Sequence, residues 1–320
     1  MKLEDLASEL KGKSILITGG SGFFGKNLCE ALNLLNKKLD LGLSISAMAR
    51  NPIVQEGVEF IQQDVTKPFQ CDKHFDFIIH AATPVVSDES SFNQNIDIIV
   101  NGTFNTLAFA KKNNCKRVLL VSSGAVYGQQ PADLEQLNED YVIQETFFDF
   151  KSAYGTGKRI SELQALDWAD RTGYSVSIAR CFAFSGRHLP VDQHLAIGNF
   201  IRDAIVSKSI KIKGDGSALR SYMDADDLVV WLVTILLRGK NKEIYNVGSD
   251  KELSIKDLAN TIARIVPGTE VVVENSLPTS SKRNRYIPSI KKAQRELSLE
   301  LSINLEESIK KMVEFNRGPK

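Results

Sequence analysis

Strand-like and helix-like segments alternate through the first half of this sequence, and the first strand runs straight into a glycine-rich turn that opens a helix. Together these features predict an α/β fold with a doubly wound parallel sheet. Ser14–Thr18 (SILIT) is a short apolar run ending in glycines, as a strand buried on both faces should be. Phe24, Leu28, Leu32 and Leu35 then recur at helical spacing. Residues 43–49, 58–62, 77–80 and 117–122 read as further strands, and residues 95–113 and 154–172 as helices.

After a strand at 175–180 (SVSIAR) the rhythm breaks. Residues 188–198 carry little periodicity, Gly214-Asp215-Gly216 marks a turn, and Asp227 is placed to cap an apolar helix over 228–237. Short elements follow at 245–248, 254–266, 271–274 and 305–315. The expected division is a sheet-bearing unit of residues 1–182 plus about 241–252, with a smaller, partly interleaved lobe of residues 183–240 and 253–320.

A chain of 320 residues can bury a sizeable core, and 42% hydrophobic with 25% charged residues is ordinary for a globular protein. The net charge of +1 gives no reason to expect nucleic acid or an anionic membrane as partner. Cys29, Cys71, Cys115 and Cys181 form no C-x-x-C pair, and the four histidines show no metal spacing, so no metal site is expected. Residues 1–14 lack an apolar signal-peptide region, and no uncharged run reaches membrane-spanning length. A cytoplasmic location fits.

Thr18-Gly19-Gly20-Ser21-Gly22-Phe23-Phe24-Gly25 carries the chemistry of the first turn. Gly20, Gly22 and Gly25 satisfy G-x-G-x-x-G, and Gly19, Gly22 and Gly25 satisfy G-x-x-G-x-x-G. Glycines allow a tight turn, close approach of backbone to a pyrophosphate, and close helix–strand packing, the features of a Rossmann dinucleotide site. The helix N-terminus adds unpaired N–H groups and a partial positive charge. A nicotinamide dinucleotide is the expected cofactor. NAD sites usually carry an acid at the end of the second strand, but here that strand ends Ala49-Arg50. Arg50 suits a 2′-phosphate and so favours NADP; the alternative is a solvated surface arginine and bound NAD.

Tyr154-Gly155-Thr156-Gly157-Lys158 opens a helix, and spacing i to i+4 puts the phenol and the amine on one face. Hydride transfer at a carbinol carbon needs a partner for the hydroxyl proton. Free tyrosine, with a pKa of about 10, is a poor base at neutral pH, and a neighbouring ammonium, together with the positive ring of an oxidised nicotinamide, is expected to lower that value. Ser122 and Ser123 follow the strand at 117–122, where ligands bind in open α/β sheets. An exposed Tyr/Lys pair and ordinary turn serines are the bland alternative. The order of glycine turn, serines and Tyr/Lys pair favours catalysis.

TGGSGFFG, HAAT at 80–83, NGTFNTL at 101–107, SSGAVYG, YGTGK, RSYMDADDL at 220–228, YNVG at 245–248 and RYIPSIKKAQREL at 285–297 together resemble the extended short-chain dehydrogenase/reductases. More narrowly, they resemble the NAD-dependent epimerase/dehydratase family of nucleotide-sugar enzymes, across nearly the whole chain. The resemblance implies Ser123 as the serine bonded to the reacting hydroxyl or ketone, Tyr154 as acid/base and Lys158 as the ribose-binding lysine. It places Gly19, Gly22, Phe23, Phe24, Gly25, Ala81 and Ala82 around the cofactor with Arg50, and Asp64 and Val65 beside the adenine. Arg220 would grip a substrate diphosphate, and Thr83 and Asn199 would line the substrate groove. The smaller lobe then binds a nucleotide-diphosphate sugar. A homodimer through 95–113 and 154–172 is implied, against the alternative that those apolar faces serve the core.

Family 4,6-dehydratases place Asp-Glu directly after the serine or threonine, and family decarboxylases tend to have glutamate at the second place. Here stand Gly124 and Ala125, which carry no titratable group, so an acid would have to arrive from elsewhere, such as Glu145 in the loop before Tyr154. Ala183 also replaces a frequent asparagine. The expected activity is therefore hydride transfer at the 4-position, by a 4-epimerase or 4-ketoreductase. Dehydratase or decarboxylase is the alternative within the family, and a non-catalytic NAD(P) sensor the alternative outside it. His80 is expected to be packing, and His188 and His194 exposed loop residues.

Overall fold

The computed structural model describes residues 1–52, 54–83, 92–142, 152–193, 195–274 and 284–318. The strands of the first half are β1 (Ser14–Thr18), β2 (Ser44–Ala49), β3 (Glu59–Gln62), β4 (Phe77–His80), β5 (Arg117–Ser123) and β6 (Ser175–Cys181). Four short strands follow: β7 (Phe184–Ser185), β8 (Ser209–Ile212), β9 (Leu219–Arg220) and β10 (Met223–Asp224). Next comes β11 (Ile244–Val247), and then β12 (Leu253–Ser254), β13 (Glu270–Val273) and β14 (Arg285–Tyr286). The helices are α1 (Ala7–Leu10), α2 (Phe23–Leu39), α3 (Phe92–Ile96), α4 (Gly102–Lys112), α5 (Ala153–Thr172), α6 (Ala196–Val206), α7 (Ala225–Arg238), α8 (Ile255–Ile265), α9 (Lys291–Leu297) and α10 (Leu305–Arg317).

The main sheet is wholly parallel in the order β3-β2-β1-β4-β5-β6-β11. Strand order reverses between β1 and β4, which opens a crevice outside their carboxyl ends. Alternate residues of β1 face opposite sides. Ile15 and Ile17 pack with Leu28 and Leu32 of α2 and Trp231 and Ile235 of α7. Leu16 packs with Met48, Ile78, Val118, Leu107 of α4, and Ala165 and Trp168 of α5. Both faces are covered, so the strands read as continuous apolar runs. A third core joins α6, α8 and α10 to β8 and β13 through Ile197, Ile201, Ile210, Leu258, Ile262 and Met312. β9 pairs antiparallel with β12 and parallel with β14, which sets Tyr286 beside Arg220.

Two local expectations change. The helix expected over 95–113 is α3 and α4 joined by a π-helical turn, Asp97–Asn101. Asp227 does not cap α7: the helix starts earlier, and Asp224 caps it by accepting from the Asp226 N–H at 2.8 Å. The Asp227 carboxylate instead accepts from the Ser302 hydroxyl and the Ser302 and Ile303 N–H groups, tying α7 to the segment before α10. Phe104 on α4 and Leu163 on α5 remain exposed. No helix of the described residues is long and apolar enough to cross a membrane.

A buried ion pair fixes α5 against the sheet. Arg180 on β6 donates to both oxygens of Glu162 at 3.0 and 2.7 Å, and the Ser122 hydroxyl donates to the same carboxylate at 2.5 Å. The guanidinium lies 4.7 Å from the centre of the Tyr127 ring, and Glu162 holds it above the ordinary arginine range despite burial. Removing one partner of such a pair strands a buried charge, at about 3–5 kcal/mol. Arg180→Met is expected to lower the unfolding free energy by about that much, read by denaturant titration. Adding Glu162→Leu should restore most of it, because the isolated charge goes too.

Candidate active site

A cleft of about 850 Å³ opens at the carboxyl ends of the strands. One side is the glycine turn. Gly19 has φ +73°, and a Cβ there would lie 2.8 Å from the backbone of Ala81 and Ala82. That position requires glycine, both for its conformation and for close approach of the β4 end. Gly25 does not line the cleft: it packs against Gly19 and Gly20, holding α2 to the turn, so its role is helix–strand contact. Gly22, the N-cap of α2, faces the cleft with Phe23 and Phe24. The first turn of α2 contains no acidic residue, so its N–H groups can receive a diphosphate.

Met48, Ala49, Arg50, Asp64, Val65, Ala81 and Ala82 line the same cleft. Arg50 is exposed at its rim, directly after β2, where an acid would contact a ribose 2′-hydroxyl. Asp64 accepts the Thr66 N–H at 2.9 Å, which holds its turn. The rim with Arg50 and Asp64, the N-terminus of α2 and a wall bearing Ser123, Tyr154 and Lys158 line one cleft. The residues present fit a nicotinamide dinucleotide.

That wall is built by docking α5 onto the turn after β5. A Cβ on Gly155 would collide with the Ala125 carbonyl, so glycine lets the first turn of α5 come close. Tyr154, beside it, is near enough to Ser123 for the serine hydroxyl to offset part of its burial. One helical turn on, the Lys158 ammonium is buried and donates to the Val121 carbonyl at 2.9 Å and the Thr83 hydroxyl at 2.5 Å. The expectation that this ammonium lowers the tyrosine pKa is not met. Lys158 lies 6.0 Å from the Tyr154 ring centre and spends its hydrogen bonds elsewhere. Burial dominates, pushing Tyr154 up to about 12 and Lys158 down to about 8.

Arg220 lines the cleft, with one guanidinium nitrogen bonded to the Leu219 and Asn284 carbonyls. Asn199 is not brought to it. It lies on α6, where its side-chain oxygen accepts from Arg202 at 3.3 Å, while Ile197, Phe200 and Ile201 turn the helix into the third core. His80 is buried among the Thr18, Thr103 and Thr106 hydroxyls, and burial drives it down to about 3, so it is neutral packing. His188 is not a free loop residue: it lines the cleft and bonds Glu30 at 2.8 Å. Glu145 and His194 lie outside the described residues. Sequence reasoning missed Phe182, Tyr222 and Tyr286, which line the cleft with Ser123 and Arg220. RYIPSIKKAQREL contained Tyr286, but no spacing rule connects it to Ser123.

Burying an ammonium favours its neutral form. Below about pH 8, Lys158 carries its charge in both folded and unfolded chains, and the folded chain bears the desolvation cost. Between about pH 8 and about 10.4 the unfolded chain binds the extra proton, so this group adds stability as pH rises. Lys158→Met is therefore expected to be more stable than the parent at pH 7, with the gap closing across that window. Thermal unfolding of the cofactor-free proteins at several pH values checks it.

The family model for the NAD dependent epimerase/dehydratase family matches residues 15–248. A UDP-glucuronic acid decarboxylase 1 of Danio rerio is 29% identical over 315 residues, covering 96% of this chain and 73% of that protein. An epimerase from Methanothermobacter thermautotrophicus shares the fold with a TM-score of 0.81 and 22% identity, over 98% of this chain and 95% of that one. A UDP-glucose 4-epimerase from Thermotoga maritima, solved with UDP-glucose, superposes with a TM-score of 0.78 at 20% identity, over 95% and 98%. With the glycine turn, the buried lysine and the Ser/Tyr pair all in one cleft, the chain belongs to the NAD-dependent epimerase/dehydratase family.

Proposed function

We propose that the protein oxidises the 4-hydroxyl of a UDP-linked hexuronic acid and that the resulting 4-ketone loses the neighbouring carboxyl group as CO2. The observation that carries this reading is the meeting of Ser123, Tyr154 and Lys158 on one wall of a cleft whose sugar end holds no carboxylate among the described residues. Asp64, the one acid among the described lining residues, stands at the nucleotide end with Arg50. An anionic sugar would meet Arg220, Tyr222 and Tyr286 rather than like charge. Relatives named UDP-glucuronic acid decarboxylase support this substrate.

Ser123 would hold the 4-oxygen while Tyr154 takes its proton. An oxidised nicotinamide, when bound, supplies the hydride acceptor and a positive ring charge that favours the phenolate. Lys158 would hold the ribose and add a second positive charge 6.0 Å from the phenol ring. A carboxylate carried by the carbon next to the ketone then makes a β-keto acid. Its C–C bond breaks with the electron pair passing toward the ketone oxygen, which Ser123 and Tyr154 stabilise. No acid at 124 or 125 is needed for that bond to break. A second reading, 4-epimerase or 4-ketoreductase, is favoured by the same Gly124 and Ala125, since those reactions need little beyond the triad.

A panel of UDP-hexuronic acids, UDP-hexoses and 4-keto sugars, followed by mass and NMR, separates the readings. Release of CO2 with a pentose product is expected; conversion of neutral sugars alone supports the second reading. No turnover of any of them with cofactor bound would sink both and leave the sensor. Tyr154→Phe is expected to lower turnover at least about 100-fold and to spare cofactor binding. Arg50 supports a preference for NADP. Arg50→Ala should weaken NADP about 10-fold and leave NAD nearly unchanged; equal losses for both cofactors in calorimetry would refute the preference.

A further inference from the structure

We propose that Tyr286 is a further catalytic residue, whose phenol gives a proton to the carbon next to the 4-ketone after CO2 has left. The assignment rests on the decarboxylase reading above. β14 pairs in register with β9, so Tyr286 and Arg220 project from one face of the small sheet into the cleft. The Tyr286 ring lies 4.7 Å from that of Phe182, tilted by 34°, which fixes its approach. Its hydroxyl stands at the turn after β5, near enough to Ser123 for the serine to offset part of its burial. A Cβ on Gly124 would lie 2.5 Å from that oxygen, so the phenol occupies the space a side chain at 124 would fill.

Ser123, Tyr154 and Tyr286 line the same cleft, and the Tyr286 hydroxyl occupies the space beside Gly124, the residue after Ser123. If Ser123 and Tyr154 hold the 4-oxygen, a hydroxyl beside Gly124 is within reach of a substituent one bond away. When CO2 leaves, the pair from the broken C–C bond forms an enolate across carbons 4 and 5. A C–H bond then forms at carbon 5 as the Tyr286 O–H breaks, and the 4-ketone is restored. Water returns a proton to the phenolate, and Arg220 in the neighbouring strand favours that transient anion. Burial holds the phenol well above the ordinary tyrosine range, so it enters each cycle protonated.

The test uses the full chain with cofactor and UDP-glucuronic acid in D2O. The parent should reduce its cofactor in a burst and place one deuterium on one face of carbon 5. Tyr286→Phe should keep its melting temperature and the burst, form product about 100-fold more slowly, and label both faces of carbon 5. Gly124→Ala should give the same loss of stereochemistry with the phenol still present, because its methyl displaces the hydroxyl. A Tyr286→Phe protein with parental rate and labelling overturns the assignment, as does one that loses the burst. A parent that reduces cofactor with neutral sugars and never with a uronic acid overturns the decarboxylase reading and this assignment together.

Discussion

A buried ammonium sets the terms for the whole active site. Lys158 is 3% exposed, so its charge persists only where acceptors replace water. Those acceptors are the Val121 carbonyl, near the end of β5, and the Thr83 hydroxyl, just past β4. Helix α5 must therefore cross the carboxyl ends of these two strands. Residues 154, 158 and 162 share one helical stripe. Fixing the middle one aims the first at Ser123 and the last at Ser122 and Arg180. The catalytic pair and the ion pair that braces it are consequences of one placement.

The same burial acts on both titrating groups. Tyr154 is pushed up and Lys158 down, each toward its neutral form, because desolvation outweighs what Ser123 returns to the phenol and Glu162 to the ammonium. A phenol at about 12 is not a base at neutral pH. On the proposed reading the positive ring of an oxidised nicotinamide would supply the charge that favours the phenolate. Base strength would then depend on the bound cofactor.

How far the sequence foretells this depends on the range of the interaction. The glycine turn, the strand ends and the Tyr154/Lys158 pair are local patterns whose physics acts within one or two turns of chain, and they are legible. The direction of the tyrosine shift is not, because it depends on where Lys158 finds its acceptors, and Thr83 is 75 residues away. Asp227 illustrates a similar limit: the sequence offers three aspartates at 224, 226 and 227, and only the tertiary contact with Ser302 shows which one is occupied elsewhere. Asn199 had no local signal beyond the resemblance, and the apolar face of α6 turns it to Arg202.

Tyr286 is the extreme case. It comes to the turn after β5 from a two-residue strand paired with β9 and followed by the Leu137–Pro288 bridge, on a segment far along the chain. Its position and that of Gly124 are mutually dependent, since a Cβ at 124 and the phenol claim the same volume. On the proposed reading, a side chain on the turn after β5 and one delivered from β14 would be alternative ways to furnish the carbon beside the reacting one. The triad would fix where oxidation happens, and whichever group fills that volume would set the chemistry that follows. In this chain a neutral hydroxyl fills it, which can supply a proton without repelling an anionic sugar.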